Sequence, residues 1–127
     1  MYWGTISAVV AVVLLGLPLR ASADFVDVIQ SKLTDDCSLE QYLASINDFN
    51  AYYKDKGCQV EILLPLHSDQ QGTLYWVGRC TNAETFGRAV DHWNAEVAKD
   101  GSTVSKLSAR FEKCTTSISR ASYQSAQ

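Results

Sequence analysis

The spacing of apolar residues predicts two amphipathic helices. Apolar residues recur three and four positions apart over 38–56, at Leu39, Tyr42, Leu43, Ile46, Phe49 and Tyr53. They recur in the same way over 82–99, at Phe86, Ala89, Val90, Trp93 and Val97. This period places each set along one face of a helix. Ser38 with Gln41, and Thr81 with Glu84, have the spacing of a capping box at the start of each helix.

Four other segments have the shorter, alternating or β-branched pattern that is typical of strands. They cover 25–33, 58–66, 73–80 and 103–113. Pro65 cannot donate a hydrogen bond to a neighbouring strand, so the second strand is expected at an edge of the sheet. The turn at 68–72 is short and contains Gly72, which predicts a hairpin between the second and third strands.

The resulting order, β-α-β-β-α-β, is that of the α+β ferredoxin-like fold. It predicts a four-stranded antiparallel sheet with two helices on one face, formed by residues 24–114. Several strands carry apolar residues on both faces, so the second face should also be covered. The simplest cover is the same face of a second subunit, which predicts a homodimer. The Ser/Thr-rich segment 115–127 is expected to be a flexible tail.

The strand and helix over 74–97 (LYWVGRCTNAETFGRAVDHWNAEV) resemble the second half of a dimeric α/β-barrel protein. This superfamily includes the antibiotic-biosynthesis-monooxygenase and haem-degrading-monooxygenase families. The resemblance implies a homodimeric barrel. The family pattern places a Trp at the end of the third strand and a His in the second helix. Here Arg79 and Cys80 end the strand and Arg88 lies near the helix position, so the family's catalytic residues are not transferred.

Residues 1–23 have the features of a signal peptide. An apolar run over 6–19 is followed by the small residues Ala21, Ser22 and Ala23. The segment before the run lacks Lys and Arg, which leaves an uncleaved anchor as the alternative. That run is shorter than the roughly 20 residues of a spanning helix. We therefore expect a chain that begins at Asp24 after cleavage, exported to the periplasm or secreted, with no membrane contact.

The four cysteines all follow this leader, and none forms a Cys-x-x-Cys motif. An even number in an exported chain predicts two structural disulfides. The predicted hairpin makes Cys58 and Cys80 near neighbours across the two strands, which favours that pair. Cys37 and Cys114 would then lie at opposite ends of the predicted sheet. Either the last strand begins later, the tail folds back, or one of these cysteines pairs elsewhere.

Charge argues against nucleic acid as a partner. Loss of the leader removes only Arg20 and leaves 10 basic against 14 acidic residues. Nucleic-acid binding needs a basic patch or stripe. His67 and His92 are isolated from carboxylates at ligand spacing, so no metal site is predicted. Asp35 and Asp36 precede the first helix, where negative charge is favourable.

The remaining candidates are aromatic residues and one histidine. Tyr75, Trp76 and Trp93 could line a ligand pocket, although core packing is the commoner role of such rings. His92 could act as a general base only if it faced a pocket. A histidine at such a helix position lies at the surface more often than in a pocket.

Two functional hypotheses follow. The first is a non-catalytic domain without a cofactor, which binds a small apolar ligand or serves as an interaction module. The second, suggested by the architectural resemblance, is a cofactor-independent monooxygenase-like enzyme that uses Trp76, Trp93 and His92. The second requires His92 to share a cavity with at least one Trp.

Overall fold

The computed structural model describes residues 24–68 and 70–126. The predicted signal peptide at 1–23 lies outside these residues. Within the described part of the chain, no helix has the length and apolar character needed to cross a membrane.

The described chain forms four strands and three α-helices. In order they are β1 (Phe25–Leu33), α1 (Leu39–Tyr53), a 3-10 turn (Lys54–Lys56), β2 (Cys58–Leu63), β3 (Leu74–Cys80), α2 (Ala83–Val97), α3 (Thr103–Cys114) and β4 (Thr115–Gln124). The strands form one antiparallel sheet in the order β2-β3-β1-β4. The predicted α+β ferredoxin-like architecture is confirmed, with one additional helix.

The boundaries of the early elements agree closely with the sequence pattern. Ser38 and Gln41 form the predicted capping box at the start of α1. Gly57 has a φ of 75° and ends the following turn, a conformation that glycine adopts without strain. The helix α2 begins one residue later than predicted, because the side chain of Asn82, not Thr81, caps it. Strand β2 ends at Leu63 and not at 66.

The strand predicted at 103–113 is wrong, because this segment is the helix α3. Ser102 caps its first turn by accepting a hydrogen bond from the backbone N–H of Ser105. Val104 and Leu107 are buried on the inner side, whereas Ala109 is exposed. Helical spacing at three- and four-residue steps therefore prevails over the alternation of apolar residues.

The flexible tail predicted at 115–127 is also wrong, since its first ten residues form β4. This strand pairs with the whole of β1, with a shift in register between Gln30 and Ser31. As an edge strand, β4 pairs with β1 alone, and its Ser/Thr-rich sequence forms this pairing without a strongly apolar pattern. Arg120 and Ser122 add side-chain bonds to Asp27 on β1.

Both disulfides are present, Cys58–Cys80 and Cys37–Cys114. The first joins directly opposed residues of β2 and β3, as predicted. The second is possible because the last strand begins at Thr115, which was one of the alternatives left open. Cys114 therefore lies beside the end of β1, where its carbonyl oxygen accepts a hydrogen bond from the N–H of Thr34.

The core lies between the sheet and the helices. Tyr42, Ile46, Phe49 and Tyr53 project from α1 onto Val60 of β2 and Leu74 of β3. Residues of all three helices and all four strands face the same interior space. The helices therefore lie on one face of the sheet, and no element of the described chain covers the other.

Candidate functional site

A cavity of about 380 Å³ lies between the sheet and the three helices. Its apolar wall is made largely of aromatic rings. Five of these are Phe49, Trp76, Phe86, Trp93 and Phe111. Small-molecule sites in proteins commonly have volumes of about 300–1,000 Å³ and apolar walls with few polar groups. The cavity falls at the small end of that range.

The secondary structure brings these rings together from separate elements. Alternation along β3 turns Trp76 towards the helices, where its ring meets Phe49 of α1 edge to face at 4.9 Å. Phe111 of α3 is perpendicular to Trp76 at 5.4 Å. Trp93 of α2 lies 5.8 Å from Phe49. Such edge-to-face and tilted contacts hold the rings that line the cavity in one arrangement.

Gly78 makes room for the indole of Trp76. A Cβ at this position would lie 3.2 Å from Nε1 of Trp76 and 3.7 Å from the backbone oxygen of Asp27. A side chain here would therefore push the indole away from the sheet. Both Gly78 and Trp76 line the cavity.

One side of the cavity is polar and is formed by β1 and β4. Asp27 is only 3% exposed. Its carboxylate accepts hydrogen bonds from Nε of Arg120 at 3.0 Å, from Nη2 of Arg120 at 2.8 Å and from the hydroxyl of Ser122 at 3.1 Å. The hydrogen bonds to Asp27 raise the pKa of Arg120 above its ordinary value. The buried carboxylate and the guanidinium therefore form a fixed ion pair beside the aromatic wall.

The structure brings together two of the predicted site residues, Trp76 and Trp93, at this cavity. Tyr75 lies on the opposite face of the sheet, because successive side chains of a strand alternate. It therefore takes no part in the cavity.

His92 is not among the residues that line the cavity. Its Nε2 lies 2.6 Å from the hydroxyl of Tyr52, and the two rings are 5.7 Å apart. Tyr53, which does line the cavity, has its ring edge-on to His92 at 6.2 Å. The histidine thus contacts Tyr52 and Tyr53 and does not itself line the cavity.

The remaining polar candidates lie at the surface. His67 is exposed in the loop between β2 and β3, and Asp35 and Asp36 are exposed before α1. A search of the described residues finds no group of three His, Cys, Asp or Glu side chains that could hold a metal ion.

Sequence reasoning missed the polar side of the cavity. Asp27 is the only charged residue on the inward face of β1, in line with Phe25 and Ile29. A single carboxylate among apolar residues on one strand face is a signal that could have identified Asp27. Arg120 gave no such signal, because its segment lacked a strand pattern and was interpreted as a tail.

Comparison with known proteins supports the fold alone. No family model matches the chain, and no curated protein matches it by sequence. Among solved structures, the chain is similar to SnoaB, a cofactor-independent oxygenase from Streptomyces nogalater. The TM-score is 0.56 at 13% identity, over 84% of this chain and 96% of that one. The ferredoxin-like resemblance inferred from sequence is thus confirmed as a likeness of architecture.

A second similar structure is a dimeric protein of unknown function with a ferredoxin-like fold, from Bacteroides fragilis. Its TM-score is 0.43 at 15% identity, over 80% of this chain and 95% of that one.

Proposed function

We propose that this domain binds a small, flat, apolar ligand between its sheet and its helices, without catalysing a reaction. The aromatic cavity is the observation that carries the proposal. Rings from three helices and one strand surround about 380 Å³ beside a single ion pair. An apolar ligand would be held there mainly by removal of its surface from water.

The position of His92 favours binding over the oxygenase hypothesis that uses it. That hypothesis requires His92 and a tryptophan to face one cavity. The histidine contacts Tyr52, whereas Trp76 and Trp93 face the cavity. A general base has to come within hydrogen-bond reach of the proton that it abstracts.

Saturable binding of uncharged bicyclic aromatics would test the proposal. Naphthalene and indole are titrated into the protein by isothermal calorimetry, and the melting temperature is recorded with and without each compound. We expect saturable binding and a higher melting temperature, because a ligand in the cavity stabilises the folded state.

Ala89→Phe provides the decisive variant, since Ala89 lines the cavity and the larger side chain would fill it. Ala95→Phe on the exposed side of the same helix is the matched control. We expect the first variant to lose binding and the second to retain it. Equal affinities in these two folded variants, or no saturable binding by the unaltered protein, would refute the proposal.

We also propose that a second copy of the chain covers the open face of the sheet. The apolar residues of this open face are Val26, Val28, Leu63, Tyr75, Val77 and Tyr123, of which Val77 is already buried. Leu63 and Tyr123 are 48% and 56% exposed. Burial of such a patch against its own copy would remove apolar surface from water on both subunits.

We propose that the domain acts after export, in the periplasm or outside the cell, once residues 1–23 are removed. The two disulfides support this proposal, because such bonds persist in oxidising compartments.

A further inference from the structure

We propose that the cavity is selective for aromatic ligands that carry a carboxylate, and that Arg120 binds this group. The inference rests on the proposed binding function and adds the chemical class of the ligand. It is based on the part of the Arg120 guanidinium that Asp27 leaves unused.

Asp27 occupies only one edge of the guanidinium. A guanidinium has five N–H donors in a planar fork. Asp27 accepts one hydrogen bond from Nε and one from Nη2. Within residues 24–68 and 70–126, the hydrogen bonds of Arg120 do not involve Nη1. The Nη1 and Nη2 edge therefore keeps a pair of parallel N–H donors, which is the arrangement that a carboxylate accepts through both oxygens.

The ion pair also holds this donor edge in place. The Asp27 side chain is 4% exposed, whereas that of Arg120 is 56% exposed. The buried carboxylate is fixed by Ser122 as well, so it anchors the guanidinium at one end. The other end remains accessible to a ligand. A side chain that is oriented before binding loses less conformational entropy when the ligand arrives.

Because Arg120 lies beside aromatic rings, the ligand must carry an apolar ring system as well as a carboxylate. Arg120 lines the same cavity as Trp76, Trp93 and Phe111. A carboxylate attached directly to a flat ring system could meet Arg120 while the rings lie between the aromatic side chains. A ligand with an acid but no apolar body would leave this wall without a partner.

The donors that remain at the cavity fit a single carboxylate better than other polar groups. Among the described residues that line the cavity Arg120 is the only cationic one, and Asp27 leaves its Nη1 and Nη2 edge free for one further carboxylate. A doubly charged phosphate would find no second cation there. An amine would find three of the roughly four acceptor sites of the Asp27 carboxylate already used. A monoanion that uses the fork geometry fits the groups that remain.

The test compares 2-naphthoate with 2-naphthamide at pH 7. The two compounds have nearly the same shape and differ in charge and in acceptor geometry. Isothermal titration calorimetry gives both dissociation constants. We expect the acid to bind about tenfold more tightly or better, as hydrogen bonds between charged groups predict.

Arg120→Lys keeps the charge and removes the fork, so the ratio of the amide's dissociation constant to that of the acid should fall several-fold. Arg79→Lys is the matched control. Arg79 also pairs with a carboxylate, that of Glu61, and its side chain is likewise 56% exposed, but it lies on the open face. This control should keep the preference.

Each outcome bears on one of the two proposals. Equal binding of acid and amide by the unaltered protein would overturn the carboxylate inference and leave apolar binding intact. An unchanged preference for the acid over the amide in folded Arg120→Lys would also overturn the carboxylate inference. If neither these compounds nor the uncharged aromatics bind, the binding function fails and the carboxylate site fails with it.

Discussion

At the scale of single residues, burial controls the ionisation of two tyrosines of α1. Tyr42 is 2% exposed and Tyr53 is 1% exposed. Desolvation by burial raises the pKa of each to about 12, and for Tyr53 the neighbouring Tyr52 adds to the effect. The folded protein thus favours the neutral phenol at pH values where an unfolded chain would ionise it.

The raised pKa values predict a loss of stability at high pH. Because the unfolded phenol ionises near pH 10, the contribution of Tyr42 is fully present below that value. It decreases as the pH rises from about 10 to 12, where the unfolded chain releases its proton first. Tyr42→Phe removes this ionisation, so its free energy of unfolding should fall less steeply over this window.

Urea unfolding at several pH values measures this slope. Ala95→Ser, which adds no ionisable group on the exposed side of α2, is the control and should keep the slope of the unaltered protein. A slope for Tyr42→Phe equal to that of the control would contradict the explanation.

At the scale of elements, α1 protects the free edge of β2. The side-chain amide of Asn50 donates to the backbone oxygen of Val60 at 2.8 Å, and its carbonyl oxygen accepts from the N–H of Val60 at 2.8 Å. Asn50 thus replaces the hydrogen bonds that a neighbouring strand would supply. An edge strand with unsatisfied backbone groups is otherwise prone to pair with another chain.

Asn50→Ala should therefore destabilise the fold by about 1–3 kcal/mol, because both half-buried backbone groups of Val60 lose their partner. Asn47→Ala, on the exposed side of the same helix, should change stability by less than about 0.5 kcal/mol. Chemical denaturation of the two variants gives the comparison. Similar losses in both would show that the bonds to Val60 contribute little.

The early elements were predictable because each had one dominant pattern. The α1 residues follow a single helical stripe, and Ser38 and Gly57 mark its two ends. In α3 two patterns coexist. Leu107, Ala109 and Phe111 alternate like a strand, whereas Val104, Leu107, Phe111 and Cys114 follow helical steps. Only packing against α1 and α2 decides between them, and this information is not local.

The aromatic part of the site followed only partly from the same patterns: Trp93 belongs to the apolar stripe of its helix, whereas alternation puts Tyr75 and Trp76 on opposite faces of a strand without deciding which face is inward. Its polar part depends on contact between distant segments. Arg120 reaches Asp27 across 93 positions of sequence. A prediction that makes residues 103–113 the last strand leaves no place in the sheet for β4. It therefore cannot anticipate the pair of Asp27 and Arg120.

At the scale of the whole molecule, the proposed homodimer assigns the open face to contact between two copies. The proposed homodimer predicts that Val28→Lys, at the centre of β1, gives a monomer, because the new charge would be buried between two copies. Ala95→Lys introduces the same charge on the exposed side of α2 and should leave the dimer intact. Sedimentation equilibrium measures both masses.

The unaltered protein provides an independent check, in case Val28→Lys folds poorly. A monomeric mass at high protein concentration would refute the proposed dimer whatever the variant does. A folded Val28→Lys that remains dimeric would place the interface elsewhere.

The first and last strands lie side by side, and the N–H of Ser125 donates to the carbonyl oxygen of Asp24 at 3.0 Å. The antiparallel pairing of β1 with β4 begins at these same ends. A mechanical force that pulls residues 24 and 125 apart would therefore load the hydrogen bonds between these strands one pair after another, as a zipper opens. This pairing would yield to such tension more easily than a sheet pulled in shear, until the Cys37–Cys114 disulfide bears the load.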